Sequence, residues 1–286
     1  MQENKPSALS FQKAHLSDKD FARLSHFIYT NYGIKMPPQK KVMLEGRLQK
    51  RLRYRGIKTF EEYCDFVFSK EGQDAEVIHM IDVVSTNKTD FFREPSHFDY
   101  MTTEILPKMK EKGVNKINIW SSACSSGEEP YTIAMVMNEF NDANKAFINY
   151  NVFCTDISTD ILSKAKTAIY RMDRVENIPL NLKRKYFLKS KETENPTVRV
   201  VAELRRKMSF MRLNLMDPRY NVPEKYDIIF CRNVLIYFDW ETQEKVINKL
   251  CEHLKPGGYF FLGHSESALN KNVPLKQIKP TVFIRK

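Results

Sequence analysis

Three polar side chains, Arg232, Asn233 and Tyr237, stand just beyond the apolar run Tyr226-Asp-Ile-Ile-Phe230. Such a run reads as a buried strand, and in open α/β sheets ligands occupy the crevice beyond the carboxyl ends of the strands, so these three are expected at a ligand edge. Other segments carry compatible chemistry. Lys116-Ile-Asn-Ile-Trp120 leads into Ser121-Ser-Ala-Cys-Ser-Ser-Gly127-Glu-Glu129-Pro-Tyr131, small residues between a strand and a helix that let backbone approach a ligand closely. The loop lacks the lysine of a phosphate-binding loop, and Glu128 and Glu129 would repel a phosphate, so a neutral or cationic ligand suits it better. The bland alternative is a tight turn whose acids complement a helix dipole.

Asp156 closes the next apolar run, Asn151-Val-Phe-Cys-Thr155. A carboxylate there either accepts hydrogen bonds from the two hydroxyls of an adenosine-type ribose or caps a helix beginning near Ser158. Asn214 ends the run Ser209 to Leu213, where its amide either reads an adenine edge or forms a turn. Upstream, Thr86-Asn-Lys-Thr-Asp-Phe-Phe-Arg-Glu-Pro95 offers Asn87, Thr89 and Arg93, or alternatively a capped linker with Arg93 paired to Glu94.

The scaffold that must position these residues divides in two. Residues 1–86 read as helices only: Ser17 opens one that Gly33 stops, and Pro37-Pro38 begins a second with Leu44, Leu48 and Leu52 on one face and Gly56 at its end. Thr59 to Glu62 caps a third helix, and Val77, Met80, Ile81 and Val84 stripe a fourth. Residues 87–100 form a linker contributing to the site. From 101 to 286 short apolar runs alternate with helical stretches, which predicts an α/β domain with a parallel sheet covered on both faces. An insert of about 171–206 reads as an antiparallel β-hairpin standing off that sheet, and Lys255-Pro-Gly-Gly258 as a structural turn outside the site.

Composition narrows the function classes. The chain has 286 residues and a formal charge of +11, so an acidic partner is expected: nucleic acid, an anionic surface or a carboxylate-rich protein. The second helix concentrates this charge, with Lys40, Lys41, Arg47, Lys50, Arg51, Arg53 and Arg55 against Glu45 alone. With its leucines inward, most of these cations are expected in water, as a solvated face or as a docking surface. No apolar run approaches the roughly 20 residues that span a bilayer, and Met1-Gln-Glu-Asn-Lys lacks a signal-peptide pattern, so a cytoplasmic protein not inserted in a membrane is expected. Five scattered cysteines argue against a disulfide framework, and the six histidines show no familiar ligand spacing, so no protein-built metal site is expected.

Together, the Asn-x-Thr-x-Phe-Phe-Arg-Glu linker, Ser-Ser-Gly-Glu-Glu-Pro-Tyr, Thr155-Asp156-Ile157, Asn214-Leu215 and Phe-Cys-Arg-Asn-Val-Leu-Ile-Tyr-Phe resemble the CheR family of chemotaxis receptor methyltransferases, from about residue 17 onward. The resemblance implies a helical domain followed by a Rossmann-like S-adenosylmethionine-dependent methyltransferase domain with a small β-subdomain. It also implies methylation of glutamate side chains on methyl-accepting chemotaxis receptors, a protein-glutamate O-methyltransferase activity. Carried over by position, it implies that Asn87, Thr89, Arg93, Glu129, Asp156, Asn214, Leu215, Arg232 and Asn233 contact S-adenosylmethionine. Arg93 and Tyr237 would lie nearest the transferred methyl. The basic helix Lys40 to Arg55 would dock on the receptor's cytoplasmic coiled coil. Family members that also tether a receptor C-terminal pentapeptide have a glycine-rich loop in the β-subdomain. Here that loop reads Lys189-Ser-Lys-Glu-Thr-Glu-Asn-Pro-Thr197, which leaves tether binding open. The rival readings are a methyltransferase of the same fold acting on another protein or a small acid, a cofactor-binding adaptor, and a nucleic-acid-binding module. The acids of the central loop and the absence of a basic stripe interleaved with aromatics weigh against the last.

Overall fold

The computed structural model describes residues 13–286, and the expectation about Met1 to Lys5 lies outside them. The described residues separate into two compact units, residues 13–85 and 86–286.

In the first unit, α1 (Asp18–Tyr32) is capped by Ser17, whose hydroxyl accepts the Asp20 N–H, and ends at Gly33 in the left-handed region. A 3-10 turn, Pro38–Lys40, leads into α2 (Lys41–Arg55), and Gly56 closes it at φ 69°. Thr59 and Glu62 form a reciprocal capping box for α3 (Phe60–Phe68). A short helix absent from the sequence reading, α4 (Lys70–Ala75), is capped by Ser69 and precedes α5 (Val77–Val84). Leu24, Ile28, Leu44, Leu48, Tyr63, Val67, Met80 and Ile81 make the core.

The cations of α2 do not behave as a freely solvated face. Glu76 is fully buried, and its carboxylate accepts two bonds from Arg51, both 2.7 Å, one from Arg55 at 2.7 Å and one from the Tyr63 hydroxyl at 3.0 Å. Arg47 donates to the carbonyls of Val84 and Ser85, and Lys41 reaches Asp18 at 2.5 Å. The expectation that most of these groups lie in water is thus corrected: the buried Glu76 carboxylate and main-chain carbonyls recruit Arg47, Arg51 and Arg55, and Lys41 pairs with the exposed Asp18. Lys50 and Arg53 remain exposed, beside the exposed Val42 and Tyr54.

The second unit begins with the linker and the helical run α6 (Ser96–Tyr100), a π-helical turn (Met101–Ile105) and α7 (Leu106–Glu111). Its sheet contains β1 (Lys116–Ser121), β2 (Asn149–Asp156), β6 (Met208–Arg212), β7 (Tyr226–Cys231), β8 (Leu254–Leu262), β9 (Leu275–Lys279) and β10 (Val282–Arg285) in the order β6-β2-β1-β7-β8-β10-β9. The first five are parallel, whereas β10 runs antiparallel to both β8 and β9, so the sheet is mixed. The edge strand β9 escaped the sequence reading because Leu275-Lys-Gln-Ile-Lys279 is short and largely polar, as a solvent-facing edge is. Lys255 to Gly258 bulge within β8: Leu254 pairs Tyr226 while Tyr259 pairs Ile228.

The helices α8 (Glu128–Asn144), α9 (Thr159–Thr167) and α12 (Trp240–His253) join these strands. Strand alternation sorts side chains into two cores. Ile119, Ile228, Phe230 and Phe261 pack on one face, and Trp120, Ile229, Cys231 and Phe260 on the other. The expected hairpin is a three-stranded antiparallel sheet in which β3 (Ile169–Arg171) and β4 (Phe187–Lys189) flank β5 (Thr197–Val200), so the insert starts two residues before the expected 171. Short helices α10 (Leu180–Tyr186) and α11 (Ala202–Arg205) border it. All five cysteines are free and buried. Among the described residues no helix is long and apolar enough to cross a membrane.

Candidate active site

The strand order reverses at β1: the chain runs from β1 to β2 on one side, and β7 pairs on the other. The crevice beyond the carboxyl ends of β1, β2 and β7 is therefore the place where an open α/β sheet takes its ligand. Three loops meet there.

The first follows β1. Ser122 donates its N–H and hydroxyl to the Phe230 carbonyl, at 2.9 and 3.0 Å, and Cys124 N–H reaches the Thr155 carbonyl at 2.8 Å, which ties the loop to both neighbouring strands. Gly127 sits at φ 98°, where a Cβ would come within 2.9 Å of the Tyr170 hydroxyl. Only glycine lets α8 start so close to its neighbours. Asp156, at the end of β2, accepts Ser125 N–H at 2.9 Å on one oxygen and Ser158 N–H at 3.1 Å on the other. The helix that follows is capped by Ser158 itself, whose hydroxyl accepts Ile161 N–H.

The second loop follows β7. Arg232 is buried, its side chain only 2% exposed, and bridges Glu94 at 3.0 Å and Glu129 at 3.1 Å while donating to the Arg93 carbonyl. Its Nε has no protein partner. Ser121 adds a 2.7 Å bond to Glu129. Burial raises the Glu129 pKa despite Arg232 and Ser121, which favour its charged form. Asn233 adopts φ 59°; its N–H goes to Glu266 at 2.8 Å and its amide to Glu94 at 3.1 Å.

The third segment is the linker. Glu94 collects Arg232, Asn233 and the His264 N–H, and although burial opposes ionisation, Arg232 foremost and these hydrogen bonds hold its pKa at about 2. Arg93 does not pair with Glu94; its guanidinium donates to the Lys88 carbonyl at 2.9 Å, and it is half-buried. Asn87 is half-buried and its carbonyl accepts the Ser125 hydroxyl at 3.0 Å, while Thr89 is buried.

The structure thus gathers Asn87, Arg93, Glu129, Asp156, Arg232 and Asn233 on four segments, the linker, the start of α8, the end of β2 and the loop after β7, joined to one another by hydrogen bonds. Asn214 follows β6, its side-chain oxygen accepting Met216 N–H at 3.0 Å, and Leu215 is buried in the core beside Trp120 and Phe153. Tyr237 lies half-buried in the 3-10 turn Leu235–Tyr237.

Sequence reasoning missed two residues that assemble the site. Glu266 is buried and accepts N–H groups from Asn233, Leu235 and Gly263 at 2.7 to 2.8 Å. A Cβ at Gly263 would lie 2.4 Å from the Asn233 amide nitrogen, so glycine is required there. Arg174, in the insert, bridges Glu128 at 2.7 Å and Asp90 at 3.4 Å and donates to the Thr89 carbonyl, pinning the linker to α8. Outside the expected set, Glu94, His97 and His264 bring three potential donor atoms within 4.8 Å of one another.

The donor set fits S-adenosylmethionine. Carboxylates at Asp156 and Glu129 suit hydroxyl and ammonium groups, the Gly127 turn permits close approach, and no phosphate-binding lysine is present. Residues 87–284 match the family model described as the CheR methyltransferase SAM binding domain, and residues 19–85 the CheR methyltransferase all-alpha domain. The chemotaxis protein methyltransferase of Borreliella burgdorferi is 40% identical over 273 residues, covering 94% of this chain and 95% of that protein. Those of Salmonella typhimurium and Escherichia coli are each 37% identical, over 91% and 90% of this chain and 87% of their own lengths. The chain belongs to the CheR methyltransferase family, and its cofactor is S-adenosylmethionine.

Proposed function

We propose that this chemotaxis methyltransferase esterifies glutamate side chains of chemotaxis receptors. The observation that carries the reading is the placement of Asp156 at the end of β2 and of Glu129 against the buried Arg232, at the carboxyl edge of the sheet, in a chain matching both CheR domains. S-adenosylmethionine, when bound, supplies an electrophilic methyl on a sulfonium. In our reading Asp156 takes the ribose hydroxyls, Glu129 the ammonium, and Asn214 and Leu215 the adenine. Asn87, Thr89, Arg93, Arg232 and Asn233 complete the cradle.

Arg93 and Tyr237 face the reacting centre, Arg93 orienting a carboxylate and Tyr237 hydrogen-bonding the acceptor. An acceptor glutamate, with an ordinary pKa of about 4.3, is already an ionised nucleophile at neutral pH, so no general base is required. Holding the two reactants in line then supplies the rate, on the order of 7 kcal/mol or more. Lys50 and Arg53, the exposed cations of α2, meet an acidic receptor helix.

The test is transfer of labelled methyl from S-adenosylmethionine to receptor membranes. Label on receptor glutamates that mild base releases, as it releases an ester, supports the reading; base-stable label, or none, removes it. Tyr237→Phe and Arg93→Ala should each lower turnover, and normal turnover in either would strip that side chain of its role.

A further inference from the structure

We propose that Glu94, His97 and His264 form a binding site for a divalent transition-metal ion, with zinc the best chemical match. His97 is only 2% exposed, and its Nε2 lies 2.7 Å from the Thr281 hydroxyl oxygen. That hydroxyl gives its own proton to the Pro280 carbonyl at 2.6 Å, so its oxygen can only accept from the ring. The His97 Nε2 is therefore the protonated nitrogen, and Nδ1 carries a bare lone pair.

Nδ1 is buried without any hydrogen-bond partner and faces Glu94 Oε2 at 3.6 Å. Two acceptors turned toward each other in a buried place repel unless a cation lies between them. The geometry suits one: ligands about 2.0–2.1 Å from a tetrahedral zinc are about 3.4 Å apart. A histidine donating its far N–H to an oxygen while its near nitrogen stays free has the orientation that metal-binding histidines adopt.

The remaining donors are consistent. Glu94 Oε1 accepts from Asn233 and His264 N–H, and Oε2 from Arg232 alone, which leaves Oε2 one lone pair. The His264 ring is exposed, packs edge-on to His97 with centroids 5.3 Å apart, and can turn inward to complete the set. Two imidazoles and a carboxylate are donors that zinc takes, with a fourth position left to water. Arg232 opposes a second cation nearby, yet Glu129 neutralises it from the far side at 3.1 Å, and the shared carboxylate can serve both. An ion here would join the linker, α6 and the loop after β8.

The proposal stands apart from the methyl-transfer reading, and so does its test. The full-length chain, stripped with chelator and dialysed, is titrated with zinc chloride by calorimetry and with cobalt(II) chloride by visible absorption. One equivalent per chain, with cobalt bands of four- or five-coordinate geometry, is expected. His264→Gln, at an exposed position, should weaken binding by about tenfold or more, and Thr281→Val, which removes the acceptor for His97 Nε2–H, by about tenfold. His79→Gln, on the helical unit, should bind as the wild type does. Absence of saturable binding in the wild type, or undiminished affinity in His264→Gln, would overturn the proposal, as would an equal loss in His79→Gln.

Discussion

At the scale of single residues, four carboxylates with different surroundings organise the carboxyl edge of the sheet. Glu94 is held strongly ionised by Arg232, Glu129 is pushed the other way by burial, and Asp156 and Glu266 accept backbone N–H groups. Left-handed φ values at Phe92, Glu94, Ser125 and Asn233 fall on the loops these groups tie together, which places locally strained backbone at the site. Glu266 gives the clearest prediction. Glu266→Gln keeps the shape but turns an NH2 group toward main-chain donors, leaving at least one buried N–H unpaired, at a cost of about 1–3 kcal/mol. Urea denaturation should register that loss, and the affinity for S-adenosylhomocysteine should fall with it, since Asn233 loses its anchor. Arg232 and Asn233 were legible in the sequence because they follow an apolar strand. Glu266 was not, because it works by accepting backbone N–H groups from a loop some thirty residues earlier, which leaves no side-chain pattern to read.

At the scale of elements, α2 shows where charge counting fails. Its leucine stripe and both ends could be read from spacing and glycine, but which cations face water depended on Glu76, twenty-odd residues away. The helix has two kinds of arginine, and they should respond differently. Arg51→Glu would set two carboxylates against each other in a buried place and should destabilise the helical unit by about 3–5 kcal/mol, seen as a lower urea midpoint in far-ultraviolet circular dichroism. Arg53→Glu and Lys50→Glu should change stability by no more than about 0.5 kcal/mol, yet raise the KM for receptor without altering cofactor binding.

The same cluster predicts a pH response. Burial alone would raise the Glu76 pKa, but bonds from Arg51, Arg55 and Tyr63 bring it below 4.5. Its contribution is therefore complete above pH 4.5 and lost as pH falls through the depressed folded value. Glu76→Gln should be less stable than wild type at neutral pH, with the gap closing only in strong acid; a gap independent of pH would mean that Glu76 is not held as an anion.

At the scale of the whole molecule, the alternation of strand and helix made the α/β domain and its candidate ligand edge readable in the sequence. The antiparallel end of the sheet was less so, because β10 is placed by pairing to β8, and β9 by pairing to β10, rather than by a crossover helix. The three-stranded insert was half visible: β4 and β5 flank a turn-rich loop, whereas β3 is three residues long and continues straight from α9. What unites the second unit is the convergence of the linker, the β1 loop and the β7 loop on one buried arginine, and the account stands on that place being the cofactor site. The most direct measurement is calorimetric titration of S-adenosylhomocysteine into the full chain and into Asp156→Ala. The account predicts one equivalent bound by the wild type and an affinity lower by about tenfold or more in the variant, as expected when a charged hydrogen-bond acceptor is removed. Equal affinity in the two proteins would contradict it.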